Sequence, residues 1–208
     1  DAFTPAPDLA VARRHHTATV LRDGRVLIVG GRGGAGQAAL RSAEIYDPAS
    51  RTWSSADQMP GQGARHHTAT LLQDGRVLVV AGMDNGEIAT ANASIYDPAA
   101  NTWTPAAALP LAERRMFHTA TLLPDGRVYV AGGEQEDGTV FNGPTWLYDP
   151  TTNSWTAAAS IGQRTRHSAT LQTDGRVLLG GGRASAGVLV ASSAFFNPAD
   201  GTVAPGGI

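Results

Sequence analysis

Histidine and arginine are the residues whose types and spacing in this sequence could do chemistry. Four histidines, His16, His67, His118 and His167, each open a nearly identical stretch: HTATVLRDGRVLIVGG, HTATLLQDGRVLVVAG, HTATLLPDGRVYVAGG and HSATLQTDGRVLLGGG. A ring of imidazoles could hold a metal ion. No carboxylate recurs beside them to orient the rings, and a residue present in every repeat serves the repeat. We therefore expect structural histidines bonded to nearby backbone, with no metal and no cofactor. The same logic applies to the arginines of the DGR triplets, Arg25, Arg76, Arg127 and Arg176. Each is expected to pair with a local carboxylate, such as the Asp of a Tyr-Asp-Pro turn.

The arginines just before the histidines are different, because their surroundings vary. Arg14, Arg65, Arg115 and Arg166 are the candidate ligand-binding residues. Guanidinium groups gathered in one place can hold an anion such as a peptide carboxylate or an acidic sugar. The alternative is that they are solvated or paired with Asp84, Glu87, Glu134, Glu136 and Asp137. Two aromatics, Phe141 and Trp146, break the repeat, the equivalents of Trp146 being Glu44, Ser94 and Ala194. They could stack on a sugar or a partner side chain, or pack their own loop.

Catalysis finds little support. The chain has no cysteine, which excludes disulfides, thiolate metal sites and a cysteine nucleophile. No nucleophile elbow, zinc signature or phosphate loop occurs, so no catalytic residue is assigned. The 208 residues are 42% hydrophobic and 16% charged with a net charge of −2. That balance suits a folded domain and carries no electrostatic footprint for nucleic acid or a membrane surface. No apolar run approaches the roughly 18 residues of a membrane span.

The elements that must position these residues follow from the repeat. Asp23, Asp74, Asp125 and Asp174 recur at spacings of 51, 51 and 49 residues. A second marker follows each time: IYDPASRTW, IYDPAANTW, LYDPTTNSW and FFNPADGTV. Asp-Gly predicts a two-residue hairpin joining strands a and b. Strand c ends at Tyr-Asp before a proline that stops the ladder, and strand d starts at Thr-Trp. Four short strands per unit at regular spacing predict an all-β protein, a β-propeller of four-stranded antiparallel blades. Trp53, Trp103 and Trp155 are expected to be largely buried anchors between blades. Strand alternation puts the repeated tight turns on one face and the variable b–c and d–a connections on the other, where binding is expected.

The HTAT…DGRV…GG…YDP…W pattern resembles the kelch family, in particular the kelch propeller of galactose-oxidase-like proteins and of bacterial tandem-kelch proteins. The resemblance covers essentially the whole chain and implies four kelch blades. It also implies that arginines just before strand a can serve recognition, as in kelch adaptors. The copper chemistry of galactose-oxidase-like proteins needs a tyrosine crosslinked to a cysteine, which this chain lacks. Sialidase propellers also carry a Thr-Trp marker, but the Asp47-to-Trp53 spacing here is longer.

We expect one domain over 1–208, with repeats at about 14–60, 65–112, 116–162 and 166–208. Phe3 stands 13 residues before His16, where the Trp-to-His distances elsewhere are 14, 15 and 12. Residues 1–13 are thus expected to supply a closing outer strand to the last blade. Four blades could close alone, pair as a homodimer into an eight-bladed ring, or belong to a longer chain. The expected function is a non-catalytic binding or scaffold propeller for a protein partner, with a glycan-binding propeller or a module of a larger secreted enzyme as alternatives. The ligand is expected to be protein or glycan and anionic. An extracellular or cell-surface setting and a bacterial source fit the composition.

Overall fold

The computed structural model describes residues 6–34 and 38–206, and the fold is all-β, with no α-helix among those residues. Sixteen strands form four antiparallel sheets of four. Blade 1 contains β1 (Thr17–Val20), β2 (Val26–Val29), β3 (Ala43–Asp47) and β4 (Thr52–Ala56). Blade 2 contains β5 (Thr68–Leu71), β6 (Val77–Val80), β7 (Ala93–Asp97) and β8 (Thr102–Ala106). Blade 3 contains β9 (Thr119–Leu122), β10 (Val128–Ala131), β11 (Thr145–Asp149) and β12 (Ser154–Ala158). Blade 4 contains β13 (Ser168–Leu171), β14 (Val177–Gly180), β15 (Ser193–Asn197) and β16 (Thr202–Pro205). Within each blade the strands pair in sequence order.

The hairpin between the first two strands is one residue longer than Asp-Gly alone predicts. Gly24 N–H donates to the Leu21 carbonyl at 3.1 Å, and Leu21 N–H donates to the Arg25 carbonyl at 2.8 Å. Gly24 sits at φ 87°. This is a turn followed by a left-handed residue, and only glycine enters that conformation without a Cβ clash. Asp23 closes the loop, accepting from Arg25 N–H at 3.0 Å and Arg25 Nε at 2.8 Å. Thus each DGR arginine pairs with the Asp of its own triplet, as Arg76–Asp74, Arg127–Asp125 and Arg176–Asp174 also do. The Asp of Tyr-Asp-Pro caps its own turn instead, Asp47 accepting from Ala49 N–H at 2.8 Å.

The core lies between blades. One face of blade 1 (Leu27, Val29, Ile45) packs on the opposite face of blade 2 (Val77, Val79, Tyr96). The pattern repeats with Val80 and Ile95 against Val130 and Tyr148, then with Tyr129 and Leu147 against Leu179 and Phe196. At the inner edge the histidines of blades 2, 3 and 4 reach back to the preceding blade. His67 Nε2 lies 2.9 Å from Thr17 Oγ1, His118 Nε2 2.9 Å from Thr68 Oγ1, and His167 Nε2 2.9 Å from Thr119 Oγ1. Gly30 makes room for this contact: a Cβ there would collide with the Ala64 carbonyl and stand 2.9 Å from His67 Cε1. At the outer edge each Trp indole donates to the chain leaving the previous blade, Trp103 to the Asp57 carbonyl at 2.8 Å and Trp155 to the Ala107 carbonyl at 2.6 Å. The three indoles are half-buried, not largely buried as expected, because one edge of each ring stays at the rim.

The outer strand of blade 4 is β16, paired with β15 along Ala194 to Asn197. The expected closing strand therefore needs correcting. Residues 6–10 form no strand and sit against blade 1, where the Pro7 carbonyl accepts from Trp53 Nε1 at 2.8 Å. The edge they were expected to complete is already occupied by β16. Phe3 lies outside the described residues.

Burial, first, holds the inner histidines neutral: His67 and His167 are pushed down to about 4 and His118 well below its ordinary value. An unfolded histidine titrates near about 6.5. Below that pH the unfolded chain takes up protons that the fold resists, so this stability is fully present above about 6.5 and lost as pH falls towards 4. Melting curves between pH 7.5 and 4.5 should show a falling midpoint; a flat profile would show that the rings titrate freely in the fold. Trp103→Ala should destabilise by about 2–4 kcal/mol in denaturant titration, near the lower end of large-aromatic truncations because the ring is half-exposed.

Candidate functional site

The connections into β1, β5, β9 and β13 meet at the inner edge of the blades. Counted back from each repeat histidine, they fall into three registers. Three residues back stand Arg13, Ala64, Arg115 and Arg164. These arginines are buried and bind backbone. Arg13 Nη1 donates to the Gly30 carbonyl at 2.7 Å and the Ser42 carbonyl at 3.0 Å, and Arg164 Nη1 to the Gly181 carbonyl at 2.5 Å. Arg13 also pairs with buried Glu44 at 2.5 Å. Arg115 belongs to this set. It is fully buried, donates to the Gly132 carbonyl at 3.0 Å, pairs with Glu113 and lies 4.3 Å from the Phe141 ring centroid. Burial, against the pull of Glu113, lowers its pKa to about 10. Trp146 Nε1 donates to the same Glu113 carboxylate at 3.3 Å. Arg115, Phe141 and Trp146 therefore form one cluster around Glu113, separate from the other candidates.

Two residues back stand Arg14, Arg65, Met116 and Thr165. Each forms a two-way backbone bridge with the first residue of its b–c loop: Arg14 with Arg32, Arg65 with Met83, Met116 with Glu134, and Thr165 with Arg183. Charged side chains from these pairs, Arg32, Arg65, Glu134 and Arg183, form ion pairs at the mouth where the connections meet. Glu87 pairs with Arg65 at 3.2 Å and Arg32 at 3.7 Å. Glu134, itself buried, takes Arg166 at 2.8 Å and Arg183 at 3.0 Å. Burial alone would raise the Glu134 pKa, but the hydrogen bonds from Arg166 and Arg183 outweigh it, and the carboxyl sits below its ordinary value. Farther out, Arg114 pairs with Glu136 at 3.0 Å, while Asp84 and Asp137 cap their own loops through Gly86 and Thr139 N–H.

One residue back stand His15, His66, Phe117 and Arg166, of which the sequence candidates include Arg166 alone. All four have left-handed backbone, with φ of 59°, 57°, 55° and 56°. That conformation is uncommon for residues with a Cβ, and here neighbouring blades hold it. Each residue's N–H donates to the carbonyl of the one before: His66 to His15 at 3.2 Å, Phe117 to His66 at 3.3 Å, and Arg166 to Phe117 at 3.1 Å. The side chains stack in the same order. The His15–His66 and His66–Phe117 ring centroids are each 4.1 Å apart, and the Arg166 guanidinium lies 3.5 Å over Phe117. The one available signal was positional: His, His, Phe and Arg are all planar groups at one offset from the repeat histidine.

This stack sits in a positive field. Burial first, then Arg14, Arg32, Arg65 and Arg166, lower the His15 pKa. Burial, then His15 and three of those arginines, lower His66 to about 4. So the structure brings Arg14, Arg65 and Arg166 together, adds Arg32 and Arg183, and places Arg115, Phe141 and Trp146 elsewhere. Glu87 and Glu134 each bridge two of these guanidiniums. The opposite face offers grooves too, between blades 1 and 2, 2 and 3, and 3 and 4, lined by the repeated DG and Tyr-Asp-Pro turns. Those recur at every junction with their Asp and Arg mutually paired, so they are consequences of the repeat.

A Kelch motif family model matches residues 13–60 and 64–110, the first two blades. Blades 3 and 4 repeat the same residues and the same strand order. This is a kelch-repeat protein. It is also similar to two galactose oxidases of Gibberella zeae, 38% identical over 55 residues. That stretch is 26% of this chain and 8% of each of theirs. The kelch blade explains why the histidines, tryptophans and DGR triplets recur, and leaves the mouth as the place where the blades of this chain differ.

Phe117→Ala should open one side of His66 to water and relieve its desolvation. An NMR titration of the imidazole should then show the His66 pKa rising from about 4 towards its ordinary value. An unchanged titration would mean that the stack does not set the environment of His66.

Proposed function

We propose that this kelch-repeat protein is a binding module that takes an acidic segment of a protein partner at the mouth of the blades. The observation that carries this reading is the convergence of guanidiniums there: Arg14, Arg32, Arg65 and Arg166 all act on His15, and Arg183 joins Arg166 on Glu134. Positive groups concentrated in a concave site raise the local potential and draw in anions. Arginine adds bidentate geometry that matches a carboxylate. The left-handed ladder beneath fixes the rim, so little ordering is required on binding. Kelch repeats commonly serve protein interaction, and the irregular connections of a rigid repeat frame are where such contacts form. Phe141 lies beside Arg115 and Trp146 bonds to Glu113, so neither ring supports a glycan platform over this reading.

The test is fluorescence polarisation with a labelled Glu-rich peptide, set against a Gln-rich peptide of equal length. The acidic peptide should bind, and binding should weaken as salt rises. Arg14→Glu and Arg166→Glu, both at exposed positions, should each weaken it by about tenfold, the scale of one charge-assisted contact. Arg25→Glu, on the opposite face, should leave it nearly unchanged. Equal binding of both peptides, or a larger loss from Arg25→Glu, would refute the assignment.

A further inference from the structure

Three of the four connections at the inner edge send an arginine side chain into their own blade. In each, Nη1 donates to the carbonyl 17 residues on: Arg13 to Gly30 at 2.7 Å, Arg115 to Gly132 at 3.0 Å and Arg164 to Gly181 at 2.5 Å. Two of them also take the carbonyl and the hydroxyl of one serine, Ser42 for Arg13 and Ser192 for Arg164. Arg13 adds an ion pair with Glu44. The common element is a planar fork of donors seated on fixed backbone acceptors.

Blade 2 has Ala64 at this register, yet it keeps the backbone that receives the guanidinium elsewhere. The Ala64 carbonyl accepts from Gly31 N–H at 2.8 Å, as that of Arg115 does from Gly82 at 2.8 Å and that of Arg164 from Gly133 at 2.9 Å. Ala81, likewise 17 residues on, has φ of 57°, against 61°, 62° and 65° at Gly30, Gly132 and Gly181. Ala81 N–H donates to the Asn92 carbonyl at 2.7 Å, as Gly30 N–H does to Ser42 at 3.1 Å. Asn92 thus stands in the place of Ser42, and Ser94 in that of Glu44. Ser42 and Ser192 hydroxyls accept from their arginines, whereas the side chains of Asn92 and Ser94 make no hydrogen bond among the described residues.

Ala64, Ala81, Asn92 and Ser94 line a cavity of about 160 Å³, together with Asp84 and residues 59–63. A water needs about 10–15 Å³ of such space, so the cavity admits a group of several heavy atoms. Ser94 is buried, while Gly61, Gln62 and Asn92 are exposed, so a polar interior opens to solvent. Among the described residues its lining carries a single charged group, the Asp84 carboxylate. Arg65, next in sequence to Ala64, donates to Met83 Sδ and Glu87 instead. Buried acceptors without a donor cost free energy, and a cation bearing several N–H groups satisfies them together.

We propose that this cavity binds a guanidinium group from outside the chain, carried by an arginine of a partner or by a small guanidino compound. The fork takes the Ala81 and Asn92 carbonyls as Arg13 takes those of Gly30 and Ser42, and Asp84 balances its charge. The site is distinct from the arginines of the mouth and does not rest on the anion reading.

The test is an NMR titration of the wild-type chain with methylguanidinium, set against methylurea, which has the same shape without the charge. Methylguanidinium should shift the amides of Ala64, Ala81 and Asn92 saturably, in the millimolar range expected for so few atoms; methylurea should not. Ala64→Arg supplies the guanidinium from within and should abolish the response. Ser94→Glu copies Glu44 and should tighten binding about tenfold, a readout that stands even where Ala64→Arg fails to fold. A pentapeptide with one central arginine among glycines separates the sources. Tighter binding than methylguanidinium assigns the site to an arginine of a partner, and weaker binding assigns it to a small guanidino compound. No saturable shift, an equal response to methylurea, undiminished binding in folded Ala64→Arg, or binding unchanged by Ser94→Glu would overturn the proposal.

Discussion

A blade of this protein cannot bury its own hydrophobic surface. Each sheet is one layer thick, so both of its faces need a neighbour, and the seat of one blade on the next is the constraint on which everything else depends. The inner end of that seat is a neutral imidazole against a threonine hydroxyl, and the outer end is an indole N–H on a departing carbonyl. Apolar clusters fill the space between the two. The polar pair at each end fixes the angle between blades, and the apolar middle supplies most of the driving force. This explains why histidine, tryptophan and the DGR hairpin repeat together. Changing one without the others would leave a buried polar group unsatisfied or a hairpin out of register.

What was legible in the sequence follows the same division. Residues that hold a blade recur at fixed offsets, so the four sheets, their strand order and the structural role of the histidines could be read directly. The hairpin length could not, because Asp-Gly fits a tight two-residue turn and a longer one with a left-handed glycine equally well; the Leu21–Arg25 contact selects the second. The partner of Arg25 was misjudged for a related reason. Asp23 lies near it in sequence and Asp47 near it in the fold, and only the turn geometry shows that Asp23 reaches back while Asp47 faces its own loop.

The candidate site was harder to read because its arginines do not share a register. Arg14 and Arg65 stand two residues before the repeat histidine, Arg115 three and Arg166 one. One step along an extended connection turns a side chain from the mouth into the interior, which is why Arg115 ends buried against Phe141 while Arg166 lies over Phe117. Composition put arginine near the axis; only backbone direction decides which of them faces it. Arg115 keeps the register of Arg13 and Arg164, whereas Phe141 and Trp146 break the repeat beside it. Arg115 and Trp146 both bond Glu113 in the connection between blades 2 and 3, and Phe141 packs on Arg115.

The mouth and the blade junctions are one mechanical system. The ladder His15, His66, Phe117, Arg166 takes one residue from each blade and links them by backbone hydrogen bonds 3.1–3.3 Å long. Its rise from blade to blade is set by the histidine–threonine seats directly behind it. Any change in the angle between blades must therefore stretch the ladder and move the arginines around it. The ladder runs from His15 on blade 1 to Arg166 on blade 4. In the proposed reading the mouth and the junctions are coupled through a shared backbone: an anion drawing Arg14 and Arg166 together acts back on the same junctions. Such coupling must be reciprocal in free energy, whichever event comes first.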